Sequence, residues 1–319
     1  MSAERATVAL VGARGYVGRE LCAILARHPR FQLVFVASRT HAGRKVASHL
    51  EGAPAELLFE DLDPEGIAAR GADAVVLALA NDHAPPYVAA IDRARRETVI
   101  VDVSSDHRFD DAWVYGLPEI NRARLHGATR IANPGCYATA AALVVEPVAA
   151  MLAAPAHAFG VSGYSGAGAT PSPRNDVEAL RDNLMPYGLA DHTHEREVTR
   201  HAGPVFLMPH VASFFRGISM TVSLSLIEAF TAAALEHVYQ RAYAGERMVR
   251  VIGEIPLVRA AAGLPQATLG GFAVDPARRH AVVIATLDNL LKGAASQAVQ
   301  NLNLAFGFPE LLGIEPWLA

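Results

Sequence analysis

The sequence predicts an α/β fold with two domains: a Rossmann-type parallel sheet, followed by an α+β domain whose sheet is mostly antiparallel. In the first half, continuous apolar runs typical of strands buried on both faces alternate with helical segments. In the second half, the run 218–226 alternates apolar and small polar residues with period two, which is typical of a sheet covered on one face. A length of 319 residues with 51% hydrophobic residues is sufficient for two separate cores.

Charge and cysteine content exclude several classes of protein. A net charge of −4 disfavours a dedicated nucleic-acid binder and provides no polybasic address for a membrane. No run approaches the roughly 18 apolar residues of a transmembrane helix, and residues 1–6 contain no signal-peptide core. The cysteines are Cys22 and Cys136, so a disulfide framework or a cysteine-rich zinc site is not expected. We therefore expect a cytoplasmic protein with reduced thiols.

A glycine-rich turn follows the first predicted strand, 7–11. Its spacing is G-x-x-G-x-x-G, and a helix at 20–28 and a strand at 31–37 come after it. This order is the setting of a dinucleotide fingerprint, in which the backbone approaches the pyrophosphate and a helix N-terminus faces it. The same turn can serve as a plain connection, but in this setting we interpret it as a cofactor site. The expected contacts are Gly12, Arg14, Gly15, Tyr16, Val17 and Gly18.

The end of the second strand indicates which nucleotide is bound. Enzymes that use NAD usually carry Asp or Glu there for the ribose hydroxyls, whereas a nearby Arg suits a 2′-phosphate. Here the strand ends in Ala37-Ser38-Arg39-Thr40, without an acidic residue. Ser38 and Arg39 therefore favour NADP(H). The alternative for Arg39 is a solvated surface charge.

Further buried strands are predicted at 74–80, 98–103 and 131–132, with a helix over 81–96 between the first two. Open α/β sheets bind ligands at the carboxyl ends of their strands. The segment 133–136, Asn-Pro-Gly-Cys, follows such an end.

The segment after Asn-Pro-Gly-Cys is helix-forming from residue 137 to residue 150. Cys136 therefore lies among unpaired backbone N–H groups at the positive end of a helix dipole, where the thiolate is favoured over the thiol. We interpret Cys136 as a nucleophile. The alternative is a small thiol that fills the core.

The second half contains a predicted helix at 229–244 and a hairpin formed by 268–274 and 280–286. A final helix is predicted over 287–306, and it could pack back onto the first domain. The expected division places 1–135 and 287–319 in a cofactor-binding domain and 136–286 in a substrate and oligomerisation domain.

Three polar clusters occur in or near this second half. Segment 160–168 presents hydroxyl and backbone N–H groups that suit an anion, or it is a flexible loop. His192 and His194 offer the usual base for a catalytic thiol. A metal between them is disfavoured because no clear third ligand accompanies them, so we expect no metal. Arg108 and Arg216 are candidates for an anionic substrate, the alternative for each being a surface ion pair.

Segment 133–139, Asn-Pro-Gly-Cys-Tyr-Ala-Thr, resembles the active-site segment of N-acetyl-γ-glutamyl-phosphate reductases, which are relatives of aspartate-semialdehyde dehydrogenases. Other segments that resemble this family follow in the family's order along nearly the whole chain. They are 12–18, 115–119, 162–168, 192–197, 209–218 and 288–293.

The resemblance implies roles for the matching positions. Cys136 matches the nucleophile and His194 the base beside it, although spacing does not decide between His194 and His192. Arg108 and Arg216 match residues that hold anionic groups of the substrate. The remaining implied substrate contacts are Asn133, Ser162, Gly163, His192 and Glu197, and the remaining implied cofactor contacts are Ser165, Gly166 and Asn289, the last from the returning helix.

The resemblance implies NADPH-dependent reduction of N-acetyl-γ-glutamyl phosphate to N-acetylglutamate semialdehyde, with release of phosphate, through a Cys136 thioester in arginine biosynthesis. The expected partners are these small molecules and further copies of the chain, as a dimer or tetramer. One alternative is a reductase of a related acyl phosphate, of the aspartyl or amino-adipyl type. Another is an NADP-binding sensor without catalysis.

The chain departs from the family at three places. It has Glu195-Arg196 where the family commonly has Thr-Pro, and Val144 where a small residue is usual. The stretch between Arg108 and Tyr115 is also short. These departures concern substrate contacts rather than the chemistry.

Overall fold

The computed structural model describes residues 5–49, 53–94 and 97–318. These residues divide into two compact units. The first unit comprises the chain up to Pro134 together with Ala294–Pro316, and the second comprises Gly135–Gly293. The division therefore falls inside the Asn-Pro-Gly-Cys segment. Residues 287–293, which the sequence assigns to the first domain, lie in the second unit.

Strands and helices alternate along most of the described chain. The strands are β1 (Ala6–Val11), β2 (Phe31–Ala37), β3 (Phe59–Glu60), β4 (Ala74–Leu77), β5 (Val99–Asp102), β6 (Val114–Tyr115), β7 (Arg130–Ala132), β8 (Ala156–Gly163), β9 (Leu184–Pro186), β10 (Val205–Ala212), β11 (Ile218–Ser225), β12 (Val249–Val251), β13 (Ala267–Asp275) and β14 (His280–Leu287). The α-helices are α1 (Tyr16–Ala26), α2 (Pro64–Arg70), α3 (Pro85–Ala94), α4 (Pro118–Leu125), α5 (Cys136–Val145), α6 (Val177–Leu180), α7 (Thr193–His201), α8 (Ala232–Ala242), α9 (Val258–Ala261) and α10 (Ala295–Ala305).

The first unit is built on a seven-stranded sheet with the order β3-β2-β1-β4-β5-β7-β6. Every pairing in this sheet is parallel, which confirms the Rossmann-type prediction. Strands β4 and β5 are buried along their whole length, as their continuous apolar sequences predict. The predicted end of helix α3 at Arg96 and the first four residues of the chain lie outside the described residues.

Helix α10 completes the first unit, where it packs against α1, α4 and β5. Ten of its eleven residues are buried. The predicted helix over 287–306 is wrong at its start, because the chain turns between residues 288 and 294. The Asp288 carboxylate accepts the N–H groups of Leu290 and Leu291, and such local side-chain bonds compete with helix formation.

The second unit is built on a mixed seven-stranded sheet with the order β12-β13-β14-β11-β8-β10-β9. Four of its pairings are antiparallel and two, β10 with β8 and β12 with β13, are parallel. The predicted hairpin is confirmed, since β13 pairs with β14 in antiparallel register from Ala267–Leu287 to Asp275–His280. Strand β11 alternates buried residues with half-buried or exposed ones, as its period-two pattern predicts.

Helix α5 is the core element of the second unit. Nine of its ten residues are buried, and it packs against β11, β14 and α7. The α-helix ends at Val145, earlier than predicted, because Pro147 lacks the N–H that would bond to Leu143. The Leu143 carbonyl instead accepts the Tyr243 hydroxyl at 2.6 Å, and a 3₁₀ turn continues the chain. Among the described helices, none has the length and apolar content needed to cross a membrane.

Candidate active site

The glycine turn of the first unit has the backbone geometry that a dinucleotide requires. Gly12 has φ +90°, and a Cβ at this position would lie 2.2 Å from the Ala78 carbonyl oxygen. A Cβ at Gly18 would lie 2.6 Å from the Gly12 oxygen. Gly15 precedes helix α1, and the nearest atom to a Cβ there is 3.9 Å away, so the space outside the helix N-terminus is open. An anion can therefore approach the first N–H groups of α1.

The other predicted residues of this turn are positioned around that opening. Arg14 is exposed, while Tyr16 and Val17 are half-buried in the first turn of α1. The turn is attached to the neighbouring strand, because the Gly12 N–H donates to the Ala37 carbonyl at 3.1 Å. The residues present thus fit a nucleotide pyrophosphate.

Ser38 and Arg39, the two residues predicted to determine which nucleotide binds, follow the end of β2. Ser38 is buried, and its N–H donates to the Glu60 carbonyl at 2.9 Å. The Arg39 side chain is 85% exposed and lies 3.5 Å from the Asp61 carboxylate. Because this ion pair is exposed, it constrains Arg39 little. The guanidinium is therefore accessible to a ribose phosphate at the carboxyl end of the strand.

Arg108 and Asn133 are both buried in the first unit. Arg108 donates from Nε to the Asn133 carbonyl at 2.9 Å and from Nη2 to the Val103 carbonyl at 2.8 Å. The Asn133 side chain donates to the Ala294 carbonyl at 3.2 Å and accepts from Asn301 Nδ2 at 3.0 Å. Arg108 is thus not a surface ion pair, and Asn133 is held in place by hydrogen bonds to Ala294 and Asn301.

Cys136 is the first residue of helix α5 in the second unit, and its thiol is half-buried. Gly135 precedes the helix and offers no capping side chain. No capping side chain therefore competes at this helix N-terminus, whose positive end favours a thiolate or an oxyanion. The Gly135 N–H itself donates to Glu197 Oε1 at 2.8 Å, and Glu197 is fully buried. Glu197 thus holds the backbone of the residue that precedes Cys136.

The two histidines have different environments at the start of helix α7. The His192 Nδ1 atom accepts the backbone N–H of His194 at 3.1 Å and caps the helix. Burial lowers the pKa of His192. The charges of Arg174 and Arg196 lower this pKa further, and that of Glu195 partly opposes the decrease. A neutral His192 that accepts at Nδ1 carries its proton on Nε2, so it has no free position for another proton.

His194 lies beside the cysteine segment, with its ring centroid 6.0 Å from that of Tyr137, the residue after Cys136. Its ring is also 4.9 Å from that of His192. Helix α7 packs on α5, so one helix carries the candidate base and the other carries the candidate nucleophile. Since His192 is used as a helix cap, the structure favours His194 as the base.

Two tyrosines that the sequence analysis left out complete this cluster. The Tyr137 hydroxyl donates to the His210 carbonyl at 2.6 Å. Burial raises the pKa of Tyr187, and a negative charge on Cys136 raises it further. The same two causes act on Tyr137, together with Tyr187. Both phenols are therefore protonated, and both lie close enough to Cys136 for a thiolate there to raise their pKa values. The position of Tyr137 after the cysteine is a signal in the sequence, but Tyr187 has none.

A second cluster contains the predicted residues of the 160–168 segment. The Asn289 side chain accepts the Gly217 N–H at 2.7 Å and donates to Ser165 Oγ at 2.9 Å. Ser162 is buried, and a Cβ at Gly166 would lie 2.9 Å from its Oγ. Segment 160–168 is therefore a held turn at the end of β8 rather than a free loop. Asn289 lies in the turn after β14, not on the returning helix, which corrects that expectation.

Arg216 and Asp288 form a two-pronged ion pair in this cluster. Arg216 Nε lies 2.5 Å from Asp288 Oδ2, and its Nη2 lies 3.1 Å from Oδ1. Arg216 is half-buried and Asp288 is fully buried, so this is not a surface ion pair. Asp288 also accepts the Gly263 N–H at 2.6 Å. Asp288 therefore fixes the orientation of the Arg216 guanidinium. The family resemblance implies that this guanidinium holds an anionic group of the substrate.

Gly163 and Gly293 allow the second unit's segments to approach closely. A Cβ at Gly163 would lie 2.5 Å from the Phe215 carbonyl oxygen. A Cβ at Gly293 would lie 2.7 Å from both the Cys136 Cβ and the Asn289 carbonyl oxygen. The Asn289 turn therefore packs directly against the cysteine. The second unit contains the predicted site residues Cys136, His192, His194, Glu197, Ser162, Gly163, Ser165, Gly166, Arg216 and Asn289. No group of three or more potential metal ligands occurs among the described residues.

Comparisons with known proteins agree with this arrangement. Residues 7–128 match the NAD-binding domain of semialdehyde dehydrogenases, and residues 136–289 match their dimerisation domain. Aspartate semialdehyde dehydrogenase II of Vibrio cholerae, solved in complex with ASA, aligns with a TM-score of 0.78 at 17% identity, covering 96% of this chain and 99% of that one. The enzyme of Candida albicans, solved with NADP, aligns with a TM-score of 0.73 at 15% identity, covering 98% and 99%. At these identities the similarity concerns the fold alone.

Curated relatives are much more similar. The N-acetyl-γ-glutamyl-phosphate reductase of Stenotrophomonas maltophilia is 54% identical over 309 residues, which cover 97% of this chain and 98% of the relative. The reductase of Xanthomonas campestris is 52% identical over 315 residues, which cover 98% and 100%. That of Xylella fastidiosa is 49% identical, covering 98% and 96%. The chain therefore belongs to the N-acetyl-γ-glutamyl-phosphate reductases, a family of oxidoreductases among the semialdehyde dehydrogenases.

Proposed function

We propose that the chain reduces N-acetyl-γ-glutamyl phosphate with NADPH, releasing phosphate and N-acetylglutamate semialdehyde, as a step in arginine biosynthesis. The observation that carries this proposal is the position of Cys136. It is a half-buried thiol at the start of helix α5, and helix α7, which carries His194, packs on that helix. The names of relatives that are about half identical supply the substrate.

In the first half-reaction, the Cys136 thiolate attacks the acyl carbon of the acyl phosphate. A carbon–sulfur bond forms, the carbon–oxygen bond to phosphate breaks, and inorganic phosphate leaves with that electron pair. The backbone N–H groups of the first turn of α5 stabilise negative charge on the carbonyl oxygen. Arg216, oriented by Asp288, is positioned to hold an anionic group of the substrate.

In the second half-reaction, the thioester carbonyl is reduced. When bound, NADPH would supply the hydride, which a carboxylate would resist but a thioester would accept. As the carbon–sulfur bond breaks, the aldehyde leaves and the thiolate is restored. His194 donates a proton to the tetrahedral oxyanion and accepts it again as the carbonyl re-forms, which is ordinary acid–base support of a covalent mechanism.

We assign NADP(H) binding to the first unit. The glycine turn supports a pyrophosphate, and Ser38 and Arg39 at the end of β2 support a 2′-phosphate. Ser165, Gly166 and Asn289 are proposed cofactor-side contacts in the second unit. Substrate-side contacts are proposed at Ser162, Gly163, His192 and Arg216, and Arg108, Asn133 and Glu197 position the cysteine segment. We further propose a cytoplasmic homo-oligomer that uses residues 136–289, the segment that matches a dimerisation domain.

An assay in the oxidative direction tests the proposal. The absorbance of NADPH is followed in mixtures of N-acetylglutamate semialdehyde and NADP⁺, with and without inorganic phosphate. We expect that continued reduction of NADP⁺ requires phosphate, because phosphate must attack the thioester to release the acyl group from Cys136. Aspartate semialdehyde serves as the control substrate. Equal or faster turnover of aspartate semialdehyde would assign the chain to another acyl phosphate, and NADP⁺ binding without any turnover would indicate a sensor.

A further inference from the structure

Positively charged side chains from separate segments act on His41, which follows the end of β2 in the first unit. His41 lies in the 3₁₀ turn directly after β2. The charges that act on His41 are those of His49, Arg44, Arg19 and Arg14, and each of them is cationic or becomes so on protonation. Arg14 lies in the glycine turn and Arg19 on helix α1. The pyrophosphate site and the ribose end of β2 therefore share one positive region.

The His41 ring is held in this region by packing. Its centroid lies 4.6 Å from that of His49 and 5.3 Å from that of Phe59, and those two rings are 5.5 Å apart. The loop is fixed to β3, because the Gly43 N–H donates to the Phe59 carbonyl at 2.8 Å. His41 Nδ1 is a buried atom that has no hydrogen-bond partner among the described residues. The described part of the chain thus offers no acceptor at Nδ1 for the protonated imidazole.

Burial, followed by these positive charges, lowers the pKa of His41. The imidazole is therefore neutral at neutral pH when no anion is present. The three arginines are exposed, so they can turn toward an incoming anion. A group with two negative charges would offset most of this positive charge and would favour the imidazolium.

We propose that His41 belongs to the subsite for the 2′-phosphate of the dinucleotide and takes up a proton when that phosphate binds. The inference rests on the proposed preference for NADP(H) and adds a residue and a proton to it. His41 is two positions beyond Arg39, at the strand end where a dinucleotide places its ribose. The ligand chemistry is a phosphate monoester, which NAD lacks.

The sign of the linkage follows from the direction of the change. A group whose pKa rises on binding takes up protons, so binding weakens as pH increases through the range between its free and bound pKa values. The affinity for NADP⁺ should therefore fall with pH by at most about tenfold per unit, the limit for one linked proton. The affinity for NAD⁺ should show no such fall, because no phosphate is present to raise the pKa of His41.

Isothermal titration calorimetry of the full-length protein tests the proposal. NADP⁺ and NAD⁺ are titrated at pH 7.5 in two phosphate-free buffers of different ionisation enthalpy, which gives the number of protons taken up. At this pH a phosphate monoester is mainly a dianion, since its second pKa is about 6. The variants are His41→Gln and His41→Phe, the second keeping the ring contact with Phe59. His237→Gln, an exposed histidine on α8, is the matched control.

We expect the wild type and His237→Gln to take up part of a proton with NADP⁺ and none with NAD⁺. Both His41 variants should lose that uptake and bind NADP⁺ several-fold more weakly at pH 6.5, with a smaller loss at pH 8.5 and unchanged NAD⁺ binding. Uptake that persists without His41, or that is equal for both nucleotides, overturns the inference. If the wild type does not prefer NADP⁺ at all, the proposed cofactor fails, whereas a preference that is insensitive to His41 removes this inference alone.

Discussion

The carboxylate of Glu197 accepts the backbone N–H of Gly135 at 2.8 Å, so helix α7 holds the residue from which helix α5 begins. Glu197 is fully buried, and the next residue after Gly135 is Cys136. The same bond that positions the thiol therefore places a carboxylate near it. Negative charge close to a thiolate opposes its formation, while the N-terminus of α5 favours it. Glu197 thus lowers the fraction of Cys136 that is present as thiolate, but it fixes the position of the cysteine.

Replacing Glu197 separates these two effects. Glu197→Gln keeps an oxygen acceptor for Gly135 and removes the charge, so we expect turnover within about tenfold of wild type. The pH midpoint of iodoacetamide alkylation at Cys136 should decrease, because the nearby negative charge is gone. Glu197→Ala should lower turnover much further and reduce the free energy of unfolding by about 1–3 kcal/mol, the cost of a buried donor without its acceptor. An alkylation midpoint that rises in Glu197→Gln would contradict this role.

Removing the Cys136 thiol tests the covalent mechanism. Cys136→Ala should abolish turnover, because without the sulfur no thioester forms. Binding of NADPH, measured by fluorescence titration, should remain unchanged. Cys22→Ala is the control, since Cys22 is fully buried and burial raises the pKa of its thiol to about 12, which makes it unreactive. Substantial turnover by Cys136→Ala would exclude the thioester.

The two histidines should differ in their effect on rate. His194→Asn should lower kcat by roughly 10²–10⁴, the range for a lost acid–base group. His192→Asn should lower it less, because Asn can replace the helix cap that His192 Nδ1 provides. Steady-state kinetics on both variants decides the assignment. A larger loss in His192→Asn would make His192 the base.

Cofactor choice should respond in opposite directions to two changes, one at a residue after β2 and one at a residue after β3. Arg39→Ala removes a positive charge from the proposed phosphate site, so NADPH should bind more weakly while NADH is little affected. Asp61→Asn removes the carboxylate that lies 3.5 Å from Arg39, so NADPH should bind more tightly. Dissociation constants for both nucleotides measure the effect, with Arg93→Ala, another exposed paired arginine, as the control. Equal changes for NADH and NADPH would reject the role of Arg39.

Removing one partner of the Arg216–Asp288 pair should be strongly destabilising. Asp288→Ala leaves the guanidinium without its buried carboxylate and removes the acceptor for the N–H groups of Gly263, Leu290 and Leu291. We expect the free energy of unfolding to fall by about 3–5 kcal/mol, measured by urea denaturation. Asp275→Ala, which breaks an exposed pair with Arg278, should cost less than about 1 kcal/mol. Similar losses of unfolding free energy in both variants would contradict the proposed role of Asp288 in holding Arg216 and the neighbouring backbone.

Periodicity in the sequence was sufficient for the central elements of both sheets. Strand β2 lies at 31–37, as predicted, and strands β4 and β5 fall within the predicted apolar runs. The short strands β3, β6 and β9 have two or three residues each, too few to show a period. The parallel pairing of β10 with β8 is a tertiary relationship that no local pattern reports.

The candidate site was predictable where a motif carries its own chemistry, as the cysteine segment and the glycine turn do. It was not predictable where a side chain serves the backbone instead. Glu197 was expected as a substrate contact, but its bond to the Gly135 N–H was not, and Asp288 turns the chain where a helix was expected. Tyr187 approaches the cysteine from strand β9's end, about fifty residues later in the chain, without any sequence pattern that connects the two.

The burial of helix α10 in the first unit has a consequence for biosynthesis. This helix packs against α1, α4 and β5, yet it is made only after all of the second unit. While the ribosome is still translating residues 135–293, the apolar surface that α10 will cover stays open to water and to chaperones. The first unit therefore cannot close during translation as an independent N-terminal domain would. Its folding is completed only after α10 has emerged, so a chain that stops before residue 295 leaves no finished nucleotide-binding unit behind.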